Sequence, residues 1–200
     1  MVSIAFIAGV SLYSQMPNEM VSHWNARGEA DGFMPKFWGL FLMPIVSLVL
    51  FFLFLLIPKI DPLKKNIEKF RKYFNVFITL VIFFLFYIHL LSLLFNLGYR
   101  FNMGKMITPI LGVLIFYSGV LIAKAKRNWF IGIRTPWTLS NDVVWEKTHK
   151  IGAKLFKICG MIIVLSILLP SQIIWWFLII LVISINLFLV IYSYFIFKKL

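Results

Sequence analysis

The chain alternates between long apolar runs and short polar joints. Trp38–Ile57, Phe74–Leu97 and Ile173–Phe197 are apolar runs near or above the ~20 residues a helix needs to cross a bilayer. Met106–Ala123 fits that length too. Leu155–Pro170 is shorter, and Lys157 near its end can snorkel to the headgroups. Met1–Met16 is apolar only as far as Tyr13, with no basic residue before it. Ala8, Ser11 and Ser14 make a poor cleavage site. The segment is therefore expected to be a first span, of a chain whose natural start lies upstream, rather than a signal peptide. The pattern predicts an all-α polytopic membrane protein with about six transmembrane helices.

The polar joints orient these spans, because Lys and Arg collect on the cytoplasmic side. With the N-terminus inside, the inner segments hold Lys59, Lys64, Lys65, Lys69, Arg71, Lys72, Lys124, Lys126, Arg127, Arg134, Lys147, Lys150, Lys154, Lys157, Lys198 and Lys199. Only Arg27, Lys36, Arg100 and Lys105 fall outside. Both termini are thus expected in the cytoplasm. The expected units are residues 1–58 (spans 1–2 with outer loop 14–37) and 59–105 (an interfacial helix and span 3). Residues 106–170 (spans 4–5 with inner loop 124–154) and a terminal span over 171–200 follow.

Composition supports this class. The chain has 200 residues, 62% of them hydrophobic, against ~45–50% in soluble domains. A water-soluble fold of this size could not hide that surface. The net charge of +13 belongs to the joints and forms no long basic domain, so direct nucleic-acid binding is not expected. Cys159, the single cysteine, sits in an apolar run and can form no internal disulfide.

Three places carry candidate chemistry. In the outer loop, Pro17 and Asn18 predict a short helix ending near Asn25, with turns at Gly28, Asp31 and Gly32. His23, Trp24, Asn25 and Asp31 are a candidate recognition surface. The plainer reading is an interfacial Trp whose neighbours turn the chain. His23 with Glu19, Glu29 or Asp31 offers usable metal ligands, but at no known ligand spacing, so no metal and no cofactor is expected.

On the inner side, Asp61-Pro62 is a helix start. Leu63, Ile67, Phe70 and Phe74 follow at helical spacing, an interfacial helix feeding the third span. Farther on, Arg127–His149 packs three tryptophans, two arginines, a Thr135-Pro136 turn and a capped helix start into 23 residues. The residue before proline avoids helix. Ser140, Asn141 and Asp142 offer N-caps for a helix running through Trp145 and His149, which share a face. Glu146 and Lys150 form a favourable i,i+4 pair. Trp129 and Trp137 suit interface anchoring, and Arg134 suits a phosphate or carboxylate. Anchoring alone needs neither the Thr-Pro turn nor the capped helix, so Arg134, Thr135, Pro136, Trp137, Asn141, Asp142, Trp145 and His149 are assigned a specific structural or partner-binding role.

The third span carries Asn75, Thr79, His89, Ser92 and Asn96. Polar residues inside a membrane can mark a pathway, which keeps a small-solute transporter or channel as the alternative, with His89 near mid-depth its best residue. A neutral histidine bonded between helices is the plainer reading. No Asp or Glu lies within a span, and no paired broken helices are evident. Catalytic motifs are missing as well: no His-Glu-x-x-His, no Gly-x-Ser-x-Gly and no glycine-rich phosphate loop, so an enzyme is not expected.

Gly132-Ile-Arg-Thr-Pro-Trp-Thr-Leu-Ser-Asn-Asp-Val-Val-Trp-Glu-Lys-Thr-His-Lys-Ile-Gly152 resembles the signature of the SdpI-like membrane protein family. His23-Trp-Asn-Ala-Arg-Gly-Glu-Ala-Asp-Gly32 resembles the module of unknown function, DUF1648, that often precedes it. Pro58-Lys-Ile-Asp-Pro62 lies between them as in such proteins. The resemblance runs in order over roughly residues 14–170, and the last span is generic. The short first span departs from the family pattern. The resemblance implies a multi-pass protein of the cell membrane that gives immunity against a secreted peptide toxin. It also implies signalling, in which a cytoplasmic transcriptional repressor is held at the membrane. Its implied partners are membrane lipids, that toxin and that repressor.

Overall fold

A computed structural model describes residues 1–200, the side chains of 171 and 172 excepted. It is a bundle of helices with one small hairpin. The elements are α1 (Val2–Leu12), β1 (Glu19–Trp24), β2 (Ala30–Pro35), α2 (Lys36–Ile60), α3 (Lys64–Glu68), α4 (Arg71–Asn96), α5 (Met103–Lys124), α6 (Pro136–Ser140), α7 (Asp142–Leu165) and α8 (Ser171–Lys198). A 3-10 turn over Ser166–Leu168 extends α7.

Five helices are long and apolar enough to cross a membrane: α2, α4, α5, α7 with its 3-10 turn, and α8. Their outward faces stay apolar and exposed, as at Leu56, Phe83, Ile180 and Ile183. In water that surface would be untenable; in lipid it is required. The protein is a multi-pass membrane protein. The expected sixth span forms a helix but a shorter one. At 11 residues α1 is ~16 Å long, about half a hydrocarbon core. It leans on α2, where Gly9 lets it approach Phe41.

The tightest pairing joins α5 and α7, and glycine permits it. A Cβ at Gly112 would meet the Gly160 carbonyl oxygen at 2.8 Å, and one at Gly119 the Ala153 oxygen at 2.8 Å. A Cβ at Gly160 would meet the Gly112 oxygen at 2.6 Å and collide with the Phe116 nitrogen. Between lipid-exposed helices, such backbone contact replaces the hydrophobic drive that water would supply. Gly112 and Gly119 form one side of this seam, and Gly160 completes it from the other helix.

Two expectations about the joints are corrected. The predicted helix from Pro17 to Asn25 is an antiparallel hairpin instead, with Met20 opposite Met34 and Val21 opposite Phe33. Met20 is fully buried against Met16, Leu40 and Leu93, and Gly39 lies against its side chain. Asn96 on α4 grips the strand from outside, accepting from the Val21 N–H at 2.8 Å and donating to the Val21 oxygen at 3.1 Å. Tertiary bonding thus overrides the helix-start signal. The interfacial helix is only the five residues of α3, and the chain turns at Phe70 before α4. Ile67, Phe70 and Phe74 still bury together, on Trp145 and Ile131. Asp61 does not cap α3 directly. One of its oxygens accepts from the Leu63 N–H at 2.6 Å, and the other is taken by a distant loop.

The seam predicts its own weak point. Gly160→Val should force α5 and α7 apart at a cost of about 1–3 kcal/mol or more. Thermal unfolding in detergent should show a clear loss of Tm, while Val113→Ala, on an exposed position, should shift it little. Equal shifts would remove the seam's special status.

Candidate functional site: a braced loop between the packed helices

Eleven residues of irregular chain, 125–135, join α5 to α6. Backbone groups in such a segment need partners wherever water is excluded. The structure supplies them from buried side chains. Asn128 is fully buried and uses both ends of its amide. Its Nδ2 donates to the oxygens of Lys126 and Ile131, each at 2.8 Å. Its Oδ1 accepts from the N–H groups of Phe130 at 2.9 Å and Ile131 at 2.6 Å. Asp61 Oδ2 accepts from the Trp129 N–H at 2.9 Å, which ties the loop to the end of α2. Asn66 Nδ2 donates to the Arg127 oxygen at 2.8 Å, adding α3.

Beyond these, the loop closes onto α7. Gly132 has φ +122°, a left-handed conformation only glycine takes easily, and a Cβ there would collide with His149 Nε2. The Ile133 N–H donates to that nitrogen at 3.0 Å. An imidazole nitrogen that accepts carries no proton, so His149 is neutral and its Nδ1–H donates to the Trp145 oxygen at 2.8 Å. Its ring stacks on Trp145 with centroids 3.9 Å apart. Trp145 is buried, and its Nε1–H donates to the Ala125 oxygen at 2.9 Å, pinning the end of α5.

The Thr135-Pro136 turn is present with its chemistry intact. Thr135 is extended and caps α6, Pro136 holds the first helical position, and Thr138 completes a reciprocal capping box. Thr135 Oγ1 also meets Ser193 Oγ of α8 at 3.0 Å, and Trp137 packs edge-on to Tyr194 at 5.2 Å. Asn141 caps α7, accepting from the N–H groups of Val143 at 2.8 Å and Val144 at 3.2 Å. Asp142 sits in the first turn of α7 and pairs with Arg127 at 2.8 Å. Arg127 also donates to the Leu139 oxygen. From Asn141 onward, the capped helix and the fifth span are one continuous helix.

The sequence-derived set therefore divides. Thr135, Pro136, Asn141, Trp145 and His149 are brought together as braces. Arg134 is exposed and gives one bond to the Trp129 oxygen at 2.7 Å, which leaves most of its guanidinium free. It borders a cavity of about 390 Å³ between the loop and α2, α4, α5 and α8. Trp129 is exposed and Trp137 half-buried. The expected Glu146–Lys150 pair is replaced: Glu146 reaches across to Lys126 at 3.0 Å, because α5 ends beside that turn of α7. Asn128 and Ser193 were not singled out from the sequence, and Asp61 was read only as a helix start, not as a tie to the loop. An Asn between Arg and Trp carries no signal that its amide will serve four backbone groups of its own loop.

At the hairpin end the outer set also divides. Asn25 shapes the turn, accepting from the N–H groups of Arg27 and Glu29 and donating to Glu29. Trp24 packs edge-on to Phe95 at 5.2 Å, holding the hairpin to α4. His23 and Asp31 pair at 2.6 Å on the exposed side. Glu29 pairs with Arg27 at 3.0 Å, and Glu19 lies at the far end of β1. Among the described residues no three His, Cys, Asp or Glu side chains converge as a metal site would require. On the third span, Asn75 accepts from Arg71, Thr79 donates to the Asn75 oxygen, and Asn96 serves the hairpin. His89 is buried beside α1, and neither ring nitrogen completes a hydrogen bond, although the Ala5 backbone lies near.

Fold and site together define a polytopic membrane protein with a braced loop at one end and a clamped hairpin at the other. Its similarities lie with SdpI-like membrane proteins. Residues 124–193 match the SdpI/YfhL protein family, and residues 1–48 match a domain of unknown function, DUF1648. Over 199 residues the chain is 28% identical to the "Immunity protein SdpI" of Bacillus subtilis (strain 168), covering all of this chain and 93% of that protein. No solved structure matches it significantly. The family match runs on past residue 170 into α8, where Ser193 and Tyr194 meet the loop.

Removing a brace should loosen the loop. Asn128→Leu keeps the volume but strands two N–H groups and two oxygens, for an expected loss of about 2–4 kcal/mol. Limited trypsin digestion should then cut at Arg127 or Arg134 faster than in the parent, while Trp129→Ala should leave the cutting rate near the parent's. His149→Phe keeps a ring on Trp145 but leaves Ile133 N–H unpaired, so about 1–3 kcal/mol should be lost. An unchanged Tm would mean that the neutral imidazole is not a brace.

Proposed function

We propose that this chain is an immunity protein of the SdpI type, protecting its cell against a secreted peptide toxin. The observation that carries the proposal is the end-to-end similarity to an immunity protein, joined to an intact braced loop. In this reading the basic loop end lies in the cytoplasm, as the Lys and Arg bias requires. The hairpin then faces outward. The exposed His23–Asp31 pair, held on a strand that Asn96 and Trp24 fix to α4, is the surface offered to the peptide. The inner loop offers Arg134 and Trp129, and the α6–α7 corner the free edge of Asp142, to a cytoplasmic protein such as a transcriptional repressor. Residues 1–58 and 106–170 act as the outer and inner units of this device. The chain does its work by binding, not catalysis.

Expression in a toxin-sensitive strain tests the proposal. Survival under the cognate secreted peptide should rise by orders of magnitude over the empty vector. His23→Ala with Asp31→Ala should lower that protection while leaving the amount of membrane-inserted protein unchanged. Sensitive cells that carry normal levels of inserted protein and gain no survival would refute immunity.

A further inference from the structure

We propose that one face of the α5–α7 pair is a binding groove for an anionic phospholipid, with a basic headgroup cleft at the loop end and an apolar track for the chains. The cleft, of about 410 Å³, lies between the end of α5 and the first turns of α7. Lys124, Lys126, Lys150, Lys154 and Lys157 line it, with Glu146 the one acidic side chain there. Glu146 is already paired to Lys126 at 3.0 Å. Lys124 lies over the Tyr73 ring, 5.8 Å from its centroid. Lys150, Lys154 and Lys157 are therefore left to balance a charge from outside.

The helical repeat extends this cleft into the membrane. Lys150, Lys154, Lys157, Met161 and Val164 recur three or four residues apart, so they share one face of α7. Phe116 and Val113 continue it on α5. A second, almost wholly apolar depression of about 360 Å³ lies between Val113, Phe116, Gly160, Met161, Val164 and Leu165. Each volume falls in the ~300–1,000 Å³ range of small-ligand sites. Glycine contact forms the floor: a Cβ at Gly119 would meet Lys157 Cγ at 2.9 Å, so that lysine's stem lies along α5 and carries its charge toward the cleft. Met161 and Leu165 remain exposed. A soluble acidic partner could satisfy the lysines but could not follow the groove into lipid. A phospholipid satisfies both halves, and basic pockets between helices at the cytoplasmic face are a known means of holding anionic headgroups.

The test is native mass spectrometry of the full chain in detergent, titrated with phosphatidylglycerol or phosphatidylcholine of the same acyl chains. Phosphatidylglycerol should bind at least about tenfold tighter, since each nearby lysine contributes roughly fivefold. Lys150→Gln/Lys154→Gln/Lys157→Gln should reduce the preference to about twofold or less, whereas Lys64→Gln/Lys65→Gln/Lys72→Gln should keep it. Met161→Trp, filling the apolar track, should weaken both lipids. Glycerol phosphate, which has the charge without the chains, should not displace bound lipid. Equal binding of the two lipids, equal loss in both triple variants, or displacement by glycerol phosphate would overturn the proposal. Displacement by a polyglutamate peptide would also overturn it and assign the cleft to an acidic protein.

Discussion

Backbone contact between α5 and α7 is the constraint on which the rest depends. Lipid gives no hydrophobic reason for two apolar helices to associate, so shape must provide it. Gly112, Gly119 and Gly160 remove the side chains that would hold the helices apart. With the helix ends so close, the chain between them has a short gap to bridge and many residues to place. The loop must fold back on itself, and every backbone group it buries must find a partner nearby. Asn128, Asp61, Asn66, Trp145 and His149 are those partners.

The same economy explains the aromatic richness of the loop. Trp145 fills the hollow under the loop and uses its single polar atom to hold the last turn of α5. His149 joins by stacking and by offering one acceptor and one donor in fixed directions. Gly132 must be glycine because the chain passes directly over that imidazole. These residues form one unit, in which a change at any member exposes polar groups of the others.

Hydropathy made the long spans legible, because bilayer thickness leaves few alternatives for a 20-residue apolar run. Caps were legible for the same kind of reason: Thr135-Pro136 and Asn141 act through atoms two or three residues away. What could not be read depended on distant sequence. The hairpin is only six residues a side, its alternation is broken by a bulge near His23, and its stabilising amide is Asn96. Glu146 chose Lys126 over Lys150 because of where α5 stops. Asn128 differs, since its partners lie within three residues, but its burial depends on how the whole loop folds over α7. Among the outer residues the motif was visible but its division of labour was not: Trp24 and Asn25 build the hairpin, and His23 with Asp31 face out.

The grip of Asn96 on Val21 makes the hairpin part of a rod. α4 is ~39 Å long, without a proline, and carries the hairpin at one end. At its other end Phe74, with Phe70 just before it, is buried against Ile131 and Trp145. A push on the strand is therefore not absorbed by a slack connecting segment. It tilts a lever whose far tip is set among the side chains that brace the inner loop, so the two faces of the membrane are mechanically one object.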